Sequence, residues 1–308
     1  MIREKPVGVV TVTYNSGRVI DGFLRSLMAQ THRSFIFYAI DNASTDGTLG
    51  KIAGYSDPRI RVIANPDNRG IAEANNQGIE VALANGCDLV LLMNNDTEFE
   101  PRLLERLVAG LDQYACDMIA PKILFHHDPR LIWSAGGGMH PRKGYAGFHH
   151  GYGEIDRGQY DAARLVEHAP ACCLLIRREV FDRIGVMDDR YFTYVEDTDF
   201  SYRAMKGGLQ LMYLPSATVL HKAHSLTGGL FSDFMMRYTT RNRIYFMLKH
   251  FGPWRGLYYV PAYQMHLLLQ LIFRRVKPSM FWLREKAFLE GTNGPAKGQS
   301  VLPQALQP

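Results

Sequence analysis

The sequence has few cysteines and no apolar leader. Its 308 residues include four cysteines, two of them adjacent and all in apolar surroundings: Cys87, Cys116, Cys172 and Cys173. Such spacing offers no disulfide framework, so we expect a reducing compartment. Residues 1–6 carry charges of both signs and lead directly into a valine-rich run, without the apolar core of a signal peptide. The sequence therefore predicts a protein that is not exported.

Long hydrophobic runs are also missing. The most apolar stretch, Gly256 to Phe273, is interrupted by four residues, Pro261, Gln264, His266 and Gln270. It is also shorter than the ~20 apolar residues of a membrane-spanning helix. This pattern favours a helix at a surface over one that crosses a bilayer.

Acidic residues are nearly absent from residues 237–286. Ten lysines and arginines stand there against a single acid, Glu285, which gives this segment a formal charge of +9 and leaves −4 for the rest of the chain. The asymmetry predicts an anionic partner, and no recognition motif accompanies it that would favour nucleic acid. Within residues 262–277, polar side chains recur every fourth position, which is typical of an interfacial helix on anionic lipid. A helix packed on the rest of the chain or on a second copy is the alternative.

The first hundred residues lack both the G-x-G-x-x-G and the P-loop motifs, so dinucleotide-binding and P-loop folds are disfavoured. Short β-branched or apolar runs alternate there with helical patterns, and the predicted strands are Val7–Thr13, Phe35–Ile40, Arg59–Ala64 and Asp88–Met93. This alternation predicts an α/β fold, with parallel strands and helices on both faces. Ligands of such sheets bind outside the carboxyl ends of the strands.

Beyond residue 100 the pattern loosens. It predicts a helix over Pro101–Leu111, a long functional loop over the Gly-, His- and aromatic-rich Trp133–Gly153, and a strand over Ala169–Arg177. A helix over Glu196–Lys206 and two short strands, Leu209–Leu214 and Ala217–Leu220, complete the predicted elements.

Polar residues follow each predicted N-terminal strand. Asp41 is an acid at a strand end that can accept hydrogen bonds from a nucleobase or ribose, and the loop amides after Thr13 can meet a phosphate. Asp96 follows the buried strand that ends at Met93, where one hard oxygen ligand together with substrate phosphates can hold Mg²⁺ or Mn²⁺. Turn and N-cap roles are the alternatives for these residues.

A third group of polar residues lies in Tyr191–Phe200, where Glu196, Asp197 and Asp199 stand beside aromatic residues. Like charges at this spacing raise one another's pKa, and such a carboxylate can act as a general base. Asp199 has an alternative role, because Arg203 lies four residues further along the same predicted helix and can pair with it.

Together these segments resemble the family 2 glycosyltransferases of the GT-A fold. The resemblance covers roughly residues 6–250, and its motifs are VVTVTYNSG at 9–17, DNASTDGT at 41–48, NRGIAEANNQG at 68–78, LLMNNDTEF at 91–99, FDRIGVMDDRYFTYVEDTDFSYRAMKGG at 181–208 and ATVLHKAHS at 217–225. Their order and spacing are most similar to the bacterial rhamnosyltransferase-like enzymes that build surface polysaccharides.

The resemblance implies a role for each matching position. Nucleotide-sugar contacts fall on Thr13, Tyr14, Asn15, Asp41, Asn68, Arg69, Asn94 and Asn95. Asn94-Asn95-Asp96 replaces the family's Asp-x-Asp motif, so Asp96 alone would offer a carboxylate to a divalent Mg²⁺ or Mn²⁺ ion, with His221, or less favourably His224, completing the site. Asp197 matches the general base and Glu196 its neighbour. Trp133 and Tyr194 are candidate platforms for the acceptor sugar, with core packing as the alternative.

The resemblance implies an inverting glycosyltransferase. It would move a sugar, with a rhamnose-like deoxysugar favoured, from a nucleoside-diphosphate sugar to a hydroxyl of a glycan or lipid-linked glycan. The Asn94-Asn95 departure leaves a non-catalytic nucleotide-sugar-binding or polysaccharide-assembly protein as the alternative. No nucleic-acid partner is expected, and a homodimer stays open.

The predicted domains follow from the same resemblance. A Rossmann-like, mainly parallel GT-A catalytic domain spans 1–225, with its nucleotide-sugar half over about 1–100 and its acceptor half over about 101–225. A basic helical membrane-association region spans 226–291, and 292–308 is a disordered tail. We expect a cytoplasmic protein, peripheral on the inner face of the cell membrane.

Overall fold

The structure is a computed structural model that describes residues 6–223, 232–273 and 278–293. Its strands are β1 Val7–Thr13, β2 Phe35–Asp41, β3 Ile60–Ala64, β4 Leu89–Met93, β5 Thr97–Phe99, β6 Met118–Phe125, β7 Ile132–Ser134, β8 Gly137–His140, β9 Ala146–His149, β10 Arg164–Val166, β11 Cys173–Arg177 and β12 Leu211–His221. Its helices are α1 Ile20–Met28, α2 Thr48–Ala53, α3 Gly70–Ala84, α4 Leu103–Gln113, α5 Arg178–Ile184, α6 Glu196–Lys206, α7 Asp233–Ile272 and α8 Pro278–Thr292.

Ten strands form one mixed sheet in the order β10-β12-β6-β11-β4-β1-β2-β3, with β5 on β12 and β7 on β6. The N-terminal strands β4, β1, β2 and β3 are mutually parallel. Strand β11 runs antiparallel to both β4 and β6 and so joins the parallel part to the rest. The predicted α/β class with parallel N-terminal units is confirmed.

Alternating side chains of the central strands fill two apolar layers, one on each face of the sheet. Val9 and Leu91 point to the layer that holds α1 and α4, whereas their neighbours Val10 and Leu92 point to the layer that holds α3, α5 and α6. Helix α3 approaches β1 so closely that a Cβ on Gly78 would lie 2.2 Å from the Val10 Cγ1 atom. Burial on both faces explains why these strands read as continuous apolar runs.

Two predictions about the later segments are wrong. Trp133–Gly153 is not one long loop, because it contains the end of β7 and the β8–β9 hairpin; a Gly- and His-rich strand pair lacks the apolar alternation that marks strands in a sequence. The two short strands predicted after residue 208 are one strand, β12, whose pairing with β6 slips between Leu214 and Thr218. Pro215 lies at this irregularity and has no N–H to offer the ladder.

The chain divides into two compact units. The first contains residues 1–187 and 197–223, and the second contains residues 188–196 and 224–308. In the second unit, α7 changes direction at Gly252, whose φ of 69° is left-handed. Across the described ranges, no helix is both long and apolar enough to span a bilayer. His224, the part of the predicted tail beyond Asn293 and the side chains of the predicted polar stripe lie outside the described residues.

Candidate active site

At the carboxyl ends of β1 and β2, Thr13 and Asp41 are partners in the parallel register. The buried Asp41 carboxylate accepts hydrogen bonds from the Thr13 hydroxyl at 2.7 Å and the Ser44 hydroxyl at 2.6 Å on Oδ1, and from the Ser44 N–H at 2.9 Å on Oδ2. Next to Tyr14, Asn15 has a left-handed φ of 47° and binds the Thr45 N–H through its side-chain oxygen. These strand ends therefore form one hydrogen-bonded edge, as predicted for parallel strands.

Other predicted nucleotide contacts are already engaged by the protein. The Asn68 side-chain oxygen accepts the N–H of Gly70, the first residue of α3, at 2.9 Å. The Arg69 guanidinium pairs with Glu73 at 2.9 Å and with Asp67 at 3.3 Å. After β4, the Asn95 side chain donates to the Val12 carbonyl, whereas Asn94 binds Cys172 and Thr97 through its backbone.

Asp96 and His221 come together because β5 pairs with the end of β12, with Thr97 opposite His221. The Asp96 Oδ1 and His221 Nε2 atoms are 3.2 Å apart and both side chains are buried. Burial alone would lower the pKa of His221, but the Cys172 sulfur and the Asp96 carboxylate beside it raise that pKa to about 10. In the described ranges no three His, Cys, Asp or Glu side chains form a metal cage.

The indole of Trp133 lies between two histidine rings of the same unit. Its ring centre is 4.6 Å from that of His221 and 4.7 Å from that of His149. The His149 ring also stacks on buried His168, with centroids 5.5 Å apart, and its Nδ1 atom is 3.2 Å from the Ser134 hydroxyl. No motif of the sequence points to His149 or His168, because their proximity arises from β8, β9 and the segment before β11.

Asp197 occupies the first turn of α6 and is partly exposed. Its Oδ1 atom accepts the Thr198 N–H at 2.6 Å. Desolvation by the surrounding protein raises the pKa of Asp197, while His149 and backbone N–H groups lower it. Two residues further on, buried Asp199 pairs with Arg203 at 2.8 Å, which confirms the predicted i,i+4 pair and removes Asp199 from the candidate bases.

Tyr194 and Glu196 belong to the second unit. The turn that carries them is strained, since Phe192, Tyr194 and Val195 all have left-handed φ angles between 63° and 72°. Fully buried Asn242 donates to the carbonyls of residues 191, 193 and 194, at distances from 2.7 to 2.8 Å. The Tyr194 ring packs on Phe234, 6.3 Å between centroids.

Comparison with known proteins identifies this arrangement. The family described as "Glycosyl transferase family 2" matches residues 8–185. The N-acetylglucosaminyl-diphospho-decaprenol L-rhamnosyltransferase of Mycobacterium tuberculosis (strain ATCC 25618 / H37Rv) is 31% identical over 290 residues, which cover 87% of this chain and 94% of that protein.

Solved structures share the fold at low sequence identity. GalNAc-T7, solved with UDP, GalNAc and Mn²⁺, superposes with a TM-score of 0.64 at 14% identity, over 95% of this chain and 57% of that one. The mannosyltransferase PcManGT from Pyrobaculum calidifontis, solved with GDP-Man and Mn²⁺, gives a TM-score of 0.56 at 14% identity, over 94% and 88% of the two chains. This chain is a GT-A-fold enzyme and belongs to glycosyltransferase family 2.

Proposed function

We propose that the enzyme is an inverting transferase that moves a rhamnose-like deoxysugar from a nucleoside-diphosphate sugar to a hydroxyl of a glycan or lipid-linked glycan. The observation that carries this proposal is Asp197, a partly exposed carboxylate in surroundings that raise its pKa. The mycobacterial relative, whose name joins L-rhamnose to a decaprenol-linked sugar diphosphate, supports the same classes of donor and acceptor.

Asp197 would act as the general base. As the acceptor oxygen forms its bond to the anomeric carbon, its O–H bond breaks and the proton passes to the Asp197 carboxylate. The bond from the anomeric carbon to the nucleoside diphosphate breaks with its electron pair on the leaving phosphate. A single displacement of this kind inverts the anomeric centre, and general-base catalysis contributes roughly 10²–10⁴ in rate.

The hydrogen-bonded strand ends supply the donor pocket in this proposal. Among the described residues, the Asp41 Oδ2 atom accepts one hydrogen bond, which leaves it a second lone pair for a nucleobase or ribose donor. Thr13, Tyr14 and Asn15 line the same edge. The other residues of the proposed donor pocket are Asn68, Arg69, Asn94 and Asn95. Because Arg69 is paired with two carboxylates, contact with a diphosphate would require it to exchange those partners.

A divalent cation, Mg²⁺ or Mn²⁺, is part of the proposal. The Asp96 carboxylate is the kind of ligand that such an ion prefers, and substrate phosphates and water would supply further ligands. His221 Nε2 lies 3.2 Å from Asp96 Oδ1 and would join the site only after giving up the proton that its raised pKa favours. Asp96 and His221 would hold it, and the ion would neutralise charge on the leaving diphosphate. The two neighbours solved with Mn²⁺ support the use of a divalent cation.

The test of the base is Asp197→Asn, which keeps the size of the side chain but cannot take up a proton. Transfer should fall by two decades or more, whereas nucleotide affinity measured by calorimetry should be unchanged. Glu196→Gln is the matched control and should lose less. Normal transfer by Asp197→Asn, or a larger loss in Glu196→Gln, would assign the base to another carboxylate.

We also propose that the second unit binds the anionic inner face of the cell membrane as a peripheral, cytoplasmic surface. Its exposed apolar side chains include Tyr258, Met265, Leu268, Leu269, Ile272, Phe273, Trp282 and Leu289. An apolar groove of about 450 Å³ lies between α7 and α8, lined by residues that include Met265, Leu268 and Trp282. Exposed aromatic residues with cationic neighbours are typical of the headgroup region of a bilayer.

The structure refines which basic residues could contribute to this attraction. Arg237 pairs with Glu290, Lys249 pairs with Asp188, and buried Arg241 donates to the carbonyls of residues 190 and 191. The net charge of +9 over 237–286 still favours an anionic bilayer over a second copy, because two such surfaces repel.

Vesicle sedimentation tests the membrane proposal. The full chain should bind phosphatidylglycerol-containing vesicles at low salt and should not bind pure phosphatidylcholine vesicles. Trp282→Glu with Phe273→Glu should release it, whereas Leu165→Glu, at an exposed apolar residue of the first unit, should not. Absence of binding by the full chain, or self-association that the same double variant abolishes, would contradict a bilayer partner.

A further inference from the structure

Trp133 is the extra residue of a β-bulge in the first unit. In the antiparallel pair β6–β7, Ser134 lies opposite Ile123 and Ile132 lies opposite Leu124, so β7 has one more residue than β6 at this point. Bulges re-aim a side chain relative to the regular ladder, and they are frequent next to active sites. The bulge therefore sets the direction of the Trp133 side chain separately from that of the paired residues on either side of it.

The indole of Trp133 lies close to the proposed cation site. Its ring centre is 4.6 Å from that of His221, with the two planes at 88°, and the His221 Nε2 atom is 3.2 Å from Asp96 Oδ1. The His149 ring lies against the indole as well, at 4.7 Å and 34°. These ring contacts account for the carbon atoms of the indole, and they leave one imidazole between Trp133 and the Asp96 carboxylate.

The indole nitrogen is not accounted for by this packing. The Trp133 side chain is only partly buried, but its Nε1 atom is buried and has no hydrogen-bond partner among the residues that the structure describes. An indole nitrogen can only donate, and a buried donor without an acceptor carries a free-energy cost that a phenylalanine ring would not carry. This N–H group is therefore suited to a ligand that brings an acceptor oxygen to the site.

We propose that the Trp133 N–H donates a hydrogen bond to an oxygen atom of the nucleoside-diphosphate sugar. Diphosphate and sugar oxygens are both acceptors, and both come to this place if Asp96 and His221 hold a cation against the diphosphate. Because Nε1 is buried, its neighbours have to shift when the donor binds, and His221 would itself move on joining the cation site. Trp133 is then a donor-binding residue and not a platform for the acceptor sugar. This inference rests on the proposed function.

The test uses Trp133→Phe in the full chain, which keeps a ring against His149 and His221 and removes the N–H. Calorimetry with Mn²⁺ first identifies which of UDP-glucose, GDP-mannose and dTDP-L-rhamnose binds, and then compares that donor with its diphosphate alone. The Kd of the donor should rise roughly tenfold in the variant. An equal rise for the diphosphate would place the accepting oxygen on the phosphates, and a rise for the donor alone would place it on the sugar.

Tyr152→Phe is the matched control, because it also keeps a ring and removes a hydrogen-bonding group. Tyr152 is an exposed residue of the same unit whose ring packs on Phe125, and its variant should bind both ligands as the unmodified enzyme does.

A second measurement does not depend on the folding of Trp133→Phe. The chain has three tryptophans, so its ¹H–¹⁵N spectrum contains three indole N–H signals. The signal of Trp133 is the one that persists in both Trp254→Phe and Trp282→Phe. It should move downfield when the donor is added to saturation, because its proton gains an acceptor.

Unchanged affinity of Trp133→Phe for both ligands, or an indole signal of Trp133 that saturating donor does not move, would overturn the inference. Unchanged donor affinity with a raised KM for the acceptor would overturn it too, by assigning the N–H to the acceptor. An unmodified enzyme that binds none of the three donors would defeat the donor site of the proposed function together with this inference. Normal donor binding by both the unmodified and the Trp133→Phe enzymes would defeat this inference alone.

Discussion

The donor edge and the surroundings of Asp197 differ in how far their polar groups are hydrogen-bonded. The donor edge consists of Thr13, Asp41, Asn42, Ser44 and Asn68. On the donor edge the Asp41 carboxylate accepts three hydrogen bonds, and the Asn42 amide donates to Asn68 and to the Gly70 carbonyl. Around Asp197, desolvation raises the pKa of this carboxylate and lowers that of His149, and buried His168 Nδ1 has no hydrogen-bond partner within the described residues.

This difference indicates how the two regions contribute to function. A hydrogen-bonded network of this kind holds the side chains of the proposed donor pocket in place before a nucleotide binds. Partly satisfied, desolvated titratable groups keep a carboxylate reactive at the cost of local stability. In the proposed function the donor edge would therefore serve recognition, and the region of Asp197 would serve the chemistry.

The largest expected effect is that of removing the Asp96 carboxylate. Asp96→Ala should weaken metal-dependent donor binding by roughly tenfold or more, because it removes the carboxylate ligand without disturbing Asp41. Calorimetry of the nucleotide with and without Mn²⁺ measures it. Glu98→Gln is the control, since Glu98 pairs with Lys222 at 2.6 Å and is outside the proposed site. Unchanged metal dependence in Asp96→Ala would remove Asp96 from the metal site.

Lowering the pH should reduce the turnover of the unmodified enzyme while its affinity for the nucleotide persists. The raised pKa of Asp197 means that this proposed base loses its charge at a higher pH than an ordinary carboxyl group does. Turnover should then fall about tenfold for each pH unit below that pKa, while nucleotide affinity persists. Parallel profiles of kcat and affinity between about pH 4 and pH 8 measure the separation. Coincident profiles would show that the donor edge, and not Asp197, sets the acid limb.

The strained turn before α6 can be tested by stability. Asn242→Leu should cost about 1–3 kcal/mol in the free energy of unfolding, because three backbone carbonyls lose a buried donor. Denaturant unfolding measures it. Ile244→Val on the same helix changes packing alone and should cost about 0.5–1.5 kcal/mol. A loss no greater than that of the control would mean that other contacts hold the turn.

The smallest expected effect is a difference in unfolding free energy between variants of two buried threonines of β1. Thr13→Val should cost about 0.5–1.5 kcal/mol in unfolding free energy, because its hydroxyl donates to Asp41. Thr11→Val should be neutral or stabilising, because the buried Thr11 hydroxyl has no partner in the described part of the chain. Equal losses in the two variants would show that the donor edge does not depend on its hydrogen bonds.

The sequence indicated the donor edge well because its residues follow consecutive parallel strands. Asp41 and Asp96 are each within three residues of a strand end, and parallel register alone brings such ends to one edge of a sheet. The i,i+4 pair of Asp199 and Arg203 was equally accessible, because helical geometry fixes that spacing. The assignments of these residues to nucleotide, metal and base stay predictions.

By itself, the sequence determined the α/β class, the N-terminal strands and helices, and the strand ends where polar residues collect, because local periodicity and chain order dictate these features. Only the tertiary structure decided that His149 and His168 stand with Trp133 and that Ser134 holds the His149 ring. These contacts join β7, β9 and the segment before β11 through packing and desolvation, which no local pattern of residues encodes.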